Sequence, residues 1–79
     1  MYYTYIIESK ADPTKKYIGY TYDLKKRLNA HNSGNCKFTL KYKPWKINTY
    51  IGFKDKEKAI KFEKYLKSGS GHEFANKHL

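Results

Sequence analysis

The sequence predicts a single mixed α/β domain. Segments rich in β-branched and aromatic residues, the composition that suits a pleated and half-buried surface, fall at residues 2–8, 17–21 and 45–53. Segments with apolar residues at helical spacing follow the second and third of these. The chain has 79 residues, which leaves space for one core and no second one.

In residues 2–8, Tyr3, Tyr5 and Ile7 share one face and Tyr2, Thr4 and Ile6 the other. Asp12-Pro13 marks a turn, so residues 17–21 return as the second arm of a hairpin with a long, lysine-bearing loop. Gly19 inside so short a strand packs nothing, which points to a bulge or to a close approach by another group. Thr21 or Asp23 can cap a first helix that runs to about Asn32, where Ser33-Gly34-Asn35 stops it. Leu24 and Leu28 form its buried stripe, with Arg27 and His31 on the stripe's edge.

Residues 36–44 are basic and read as loop. Ile47, Thr49, Ile51 and Phe53 then alternate along one face of a third strand. Asp55 is placed to cap a second helix with Ala59, Phe62 and Leu66 on its apolar face and Ile60 on its flank. Ser68-Gly69 ends that helix, and Ser70 with Glu73 has capping-box spacing for a short last helix carrying Phe74, Ala75, Asn76 and His78.

Composition narrows the function classes. Lysine and arginine number 17 against 7 acidic residues, a formal charge of +10, which favours partners carrying fixed negative charge. Aromatic residues make up 18%, too many for a solvated disordered chain. The single Cys36 can form no internal disulfide, the first residues are too short for a signal peptide, and no apolar run is long enough to span a bilayer. A reducing cytoplasmic location is expected, with no membrane association.

Two charges are misplaced by pattern. Glu63 lies four residues after Ala59 and three before Leu66, inside the apolar stripe, and Arg27, the only arginine, faces inward. An ionised group on an inward face needs a partner. One reading is a structural salt bridge between the two. The other is that Glu63 holds a divalent cation while Arg27 faces a phosphate. The three histidines and one cysteine lack zinc-site spacing, and there is no glycine-rich phosphate loop or nucleophile elbow. A magnesium site with one carboxylate remains open, since magnesium keeps most of its waters.

Tyr3-Thr4-Tyr5, then Tyr17-Ile18-Gly19, then Asp23-Leu24 followed by Arg27-Leu28 and His31, then Glu63 and Asn76, together resemble the GIY-YIG nuclease domain over essentially the whole chain. The resemblance extends to small stand-alone bacterial members related to the nuclease half of the UvrC excision-repair subunit, including Phe38-Thr39, Tyr42 with Pro44-Trp45, and Gly69 with Gly71-His72. It implies a small three-stranded antiparallel sheet flanked by helices, spanning residues 1–79 as one domain, and metal-dependent hydrolysis of a phosphodiester. On this likeness Tyr17 is the general base or proton relay and Tyr5 helps to position the attacking water. Arg27 steadies the phosphoryl charge, Glu63 binds Mg2+ or Mn2+, Asn76 orients the site, and His31 can assist proton transfer. The first triplet departs from Gly-Ile-Tyr but keeps its tyrosine.

The expected substrate is DNA, single-stranded or branched, cut in repair or processing with low sequence specificity, with a protein partner possible. Lys37, Lys41, Lys43 and Lys46, interleaved with Phe38, Tyr42 and Trp45, fit a backbone-tracking surface with base stacking. The competing expectation is a nucleic-acid-binding or adaptor module that keeps the fold without turnover.

Overall fold

The computed structural model describes residues 1–79. Alternation of large side chains along β1 (Tyr2–Ser9) and β2 (Lys16–Thr21) gives the expected hairpin, with Tyr5 opposite Gly19 and Ile7 opposite Tyr17. Ser9 fastens the far end: its hydroxyl donates to the Tyr42 carbonyl at 2.6 Å and accepts from the Ala11 and Asp12 amides. After α1 (Leu24–Asn32) and α2 (Lys37–Leu40), β3 (Trp45–Phe53) pairs antiparallel with the free edge of β1. The sheet therefore has the order β2-β1-β3, with α3 (Lys56–Leu66) and α4 (Gly69–His78) closing the chain. This is the three-stranded antiparallel sheet flanked by helices that was expected.

The sheet buries both faces, and the two faces do different work. On one face Tyr5, Ile7 and Trp45 form the buried core, with Tyr17, Leu24, Leu28, Tyr42 and Ile47 packed against it. Full burial of side chains this size is worth about 1.5–3 kcal/mol each. On the other face Thr4 donates to the Ala59 carbonyl at 2.7 Å, and Phe53, Phe62 and Phe74 meet ring to ring.

One face assignment changes. The alternation in residues 45–53 predicted Ile47, Thr49, Ile51 and Phe53 on a single face. In the structure Thr49 pairs with Ile6 but Ile47 pairs with Ile7, so Asn48 is an extra residue, a β-bulge. The bulge sends Ile47 and Trp45 to the Tyr5 face and leaves Thr49, Ile51 and Phe53 on the α3 side.

The helix starts follow local chemistry. Asp23 and Asp55, both extended, accept from the Lys26 amide at 3.0 Å and the Glu57 amide at 2.9 Å. Two departures arise from tertiary contacts. Residues 37–40, expected as loop, form the single turn of α2 because Trp45 Nε1 donates to the Thr39 carbonyl at 2.8 Å while the Thr39 side chain is buried. The last helix is capped by Ser68, which accepts from the Gly71 amide at 3.2 Å, and not by Ser70. Gly71 sits against the Tyr65 carbonyl where any Cβ would collide, so α4 turns back immediately after α3.

Candidate active site

The site is assembled where β1, β2 and α1 meet. Tyr5 points from the middle of β1 across its partner strand, and its ring lies over Gly19; a Cβ there would reach Tyr5 Oη and come within 2.6 Å of Cζ. Gly19 thus marks a close approach, by a side chain of the protein itself and without a bulge. The capped first turn of α1 brings Arg27 to the same phenol, and Arg27 Nε donates to Tyr5 Oη at 3.1 Å. One turn later His31 presents Nε2 to Tyr5 Oη at 2.9 Å, and its Nδ1 lies 2.7 Å from Thr39 Oγ1. The Tyr17 ring packs on His31 with centroids 5.1 Å apart.

Electrostatics follow from burial. His31 is fully buried, and desolvation, with the Arg27 charge adding to it, pulls its pKa from 6.5 down to about 4. The imidazole is therefore neutral at physiological pH. Burial also raises the Tyr5 pKa, against the opposing pull of the Arg27 hydrogen bond. The same hydrogen bond raises the pKa of Arg27. The two ion pairs of the protein are Lys46 with Glu8 and Lys67 with Glu63, so no carboxylate neutralises Arg27. It borders a shallow groove shared with Thr21, Tyr22, Asp23, Lys26 and Ala30, in which the Asp23 carboxylate is engaged with the Lys26 amide at the start of α1. Nε is the Arg27 nitrogen engaged within the protein, and the planar fork of a guanidinium matches phosphate geometry.

The expected salt bridge between Arg27 and Glu63 is absent. Glu63 instead accepts from Lys67 Nζ at 3.1 Å, one turn on, and Lys67 Nζ also stands 5.8 Å from the centroid of the Tyr17 ring. Glu63, Lys67, Tyr17, His31, Tyr5 and Arg27 therefore form one chain of neighbours. The Glu63 side chain is 20% exposed, so its carboxylate reaches solvent. No group of three or more acidic, histidine or cysteine side chains is placed to cage a metal. The one carboxylate there is a hard oxygen donor of the kind that magnesium accepts while keeping most of its waters.

A family model described as the GIY-YIG catalytic domain matches residues 1–77. The chain belongs to the GIY-YIG family. A UPF0213 protein of Streptococcus pneumoniae is 41% identical over 66 residues, covering 82% of this chain and 65% of that protein. The "Structure-specific endonuclease subunit SLX1 homolog" of Giardia intestinalis is 35% identical over 65 residues, 77% of this chain but 18% of that protein. The chain thus spans less than two thirds of the length of these relatives. The solution structure of a UPF0213 protein from Bacillus halodurans superposes with a TM-score of 0.55 at 32% identity, covering 98% of this chain and 84% of that one.

Within this GIY-YIG domain, Tyr5, Tyr17, Arg27 and His31 come together, with Glu63 joined through Lys67. Asn76 does not join them. It is exposed on α4 and lines a groove with Ile6, Ile18 and Asn48, on the sheet face opposite Tyr5. Both ring nitrogens of His31, the candidate relay, are engaged, by Tyr5 and Thr39. Of the expected nucleic-acid surface, Lys37, Lys41 and Lys43 are exposed, in and just after the α2 turn. Tyr42 packs against the core, with Lys15 and Lys41 each 5.5 Å from its ring centroid, and Phe38, 84% exposed, is the open ring of that segment. Lys46 pairs across the sheet with Glu8 at 3.7 Å and stands apart from them.

Sequence reasoning gave no role to Thr39, Lys67 or Tyr22. Phe38-Thr39 entered only as part of the resemblance, and it is the contact with His31 that ties Thr39 to the site. No helix is long and apolar enough to cross a membrane.

Proposed function

We propose that this GIY-YIG domain is a metal-dependent endonuclease that hydrolyses DNA phosphodiester bonds with low sequence specificity, in repair or processing. The observation that carries the reading is Arg27: an arginine in no ion pair, fixed through Nε to a buried tyrosine and lining an open groove. In this role Arg27 binds the scissile phosphate and stabilises the charge that grows on it, a contribution whose loss commonly costs about 100-fold or more. Tyr17, half-buried beside the site, is the candidate to take the proton of the attacking water. Glu63 is the one protein ligand for Mg2+ or Mn2+, which when bound polarises the phosphate and lowers the pKa of water. Lys67 has to release the Glu63 carboxylate for a cation to approach it.

A second reading is favoured by two observations. Glu63 is held by Lys67, and Asn76 lies across the sheet, as suits a nucleic-acid-binding or adaptor module without turnover. Incubation of the purified chain with labelled single-stranded, duplex and branched DNA, with magnesium and with chelator, separates the two. The nuclease reading expects cleavage that needs the metal and disappears in Glu63→Gln and Arg27→Ala. Binding without cleavage of any substrate by the wild type establishes the second reading, and undiminished cutting by Glu63→Gln removes the metal-ligand assignment.

A further inference from the structure

We propose that Thr39 is a positioning residue that acts through His31 and Tyr5 to aim Arg27. Its hydroxyl fixes the proton of His31 on Nδ1, so that Tyr5 must donate to Nε2 and keeps its oxygen lone pairs for the Arg27 Nε–H.

The argument is a count of donors and acceptors. Arg27 Nε can only donate, so Tyr5 Oη is the acceptor in that contact. Tyr5 is 1% exposed, and its own hydroxyl proton needs a partner inside the protein. His31 Nε2 at 2.9 Å is the acceptor in reach, because the other hydrogen-bond partner of the phenol, Arg27 Nε, can only donate. A neutral imidazole that accepts at Nε2 carries its proton on Nδ1, which points at Thr39 Oγ1, 2.7 Å away. Thr39 can receive it because its own proton is directed at the Cys36 carbonyl at 3.3 Å. Each donor along the series Arg27 Nε, Tyr5 Oη, His31 Nδ1 and Thr39 Oγ1 then has one acceptor, and no buried side-chain polar atom lacks a partner.

The opposite polarity fails at one atom. With the His31 proton on Nε2, Tyr5 would receive two donors and its buried hydroxyl proton would be left without an acceptor. The device also explains why Thr39 and His31, both fully buried, belong to the site although neither reaches solvent. They work behind Arg27, which lines the groove. What Arg27 is aimed at, a phosphodiester, rests on the proposed nuclease function, whereas the hydrogen-bond polarity does not.

Arg27 is the only arginine, so its Nε–H signal is unambiguous in a spectrum of the labelled full chain. Long-range nitrogen–proton correlation at neutral pH is expected to show His31 protonated at Nδ1 and bare at Nε2, together with a slowly exchanging Arg27 Nε–H. In Thr39→Val, which keeps the shape and deletes the hydroxyl, exchange of that proton should accelerate by about tenfold or more, as expected for loss of a charge-assisted hydrogen bond. Thr39→Ser should stay within about twofold of wild type. Cleavage by Thr39→Val should lose kcat with little change in KM, since the substrate still meets the same charge. A wild-type His31 protonated at Nε2 overturns the proposal, with no variant needed should Thr39→Val fail to fold. So does a folded Thr39→Val with unaltered Arg27 protection. An inactive wild type that still shows the expected tautomer and protection removes the nuclease reading and leaves the polarity intact.

Discussion

Gly19 and Tyr5 illustrate how one residue's missing side chain becomes another's position. The phenol occupies the space a Cβ would need, and its hydroxyl is tied to both Arg27 and His31. Gly19→Ala cannot be absorbed by rotating the ring without breaking one of those bonds. Overpacking of this kind costs about 1–3 kcal/mol, so thermal unfolding should shift down while DNA cleavage falls further than the stability loss explains. Wild-type activity in a folded Gly19→Ala would show that the ring has freedom the packing denies it. His31 supplies a second expectation. Its folded pKa of about 4 lies below the ordinary 6.5, so between these values the unfolded chain binds more protons and folding weakens as pH falls. This contribution is complete above pH 6.5 and is lost on descent toward pH 4. The ionisable groups that face the ring are the Tyr5 and Tyr17 phenols and the Arg27 guanidinium, and no carboxylate pairs with it. Urea titrations from pH 7 to pH 4 should show a steeper loss of stability for wild type than for His31→Gln.

Elements keep their identity when their signal is local and lose it when their signal comes from afar. β1 and β2 were readable because side chains alternate on a two-faced sheet, and α1 because Asp23 sits before a helical stripe. β3 was readable as a strand but not in its facing, because the Asn48 bulge leaves the burial alternation intact while exchanging the faces around it. α2 and the true start of α4 depend on Trp45 meeting Thr39 and on Gly71 meeting Tyr65, contacts that spacing along the chain does not reveal. For the same reason Arg27, Tyr5 and Tyr17 could be placed in one site from motif and helix face, whereas the partner of Glu63 and the position of Asn76 could not. The cap of α1 belongs to this scale in its consequences. Asp23→Ala removes the acceptor of the Lys26 amide and frays the turn that carries Arg27, with an expected loss of about 1 kcal/mol in urea midpoint analysis. Asp23→Ser, which can still cap, should recover most of it; equal losses in both variants would assign the effect to charge.

Across the whole molecule, a formal charge of +10 is spread over lysines with unequal opportunities. Lys46 and Lys67 each hold a carboxylate, at 3.7 Å and 3.1 Å, and so begin with an anion already in hand. Lys37, Lys41 and Lys43 are exposed around α2, next to the uncovered Phe38 ring, and hold none. Nucleic-acid affinity gained by releasing counterions should therefore come unequally from these groups. Each phosphate neutralised adds about 0.7 to the slope of log affinity against log salt for a single strand and about 0.9 for a duplex. Replacing Lys37, Lys41 and Lys43 together by glutamine should flatten the measured slope by about 2–3 and weaken every DNA sequence alike. Lys46→Gln should change the slope by less than one such unit, because removing it also frees Glu8. Fluorescence anisotropy with labelled single strands from low to physiological salt measures both. A triple variant with the wild-type slope would move the strand off the α2 side and onto the lysines of the helices beyond the sheet.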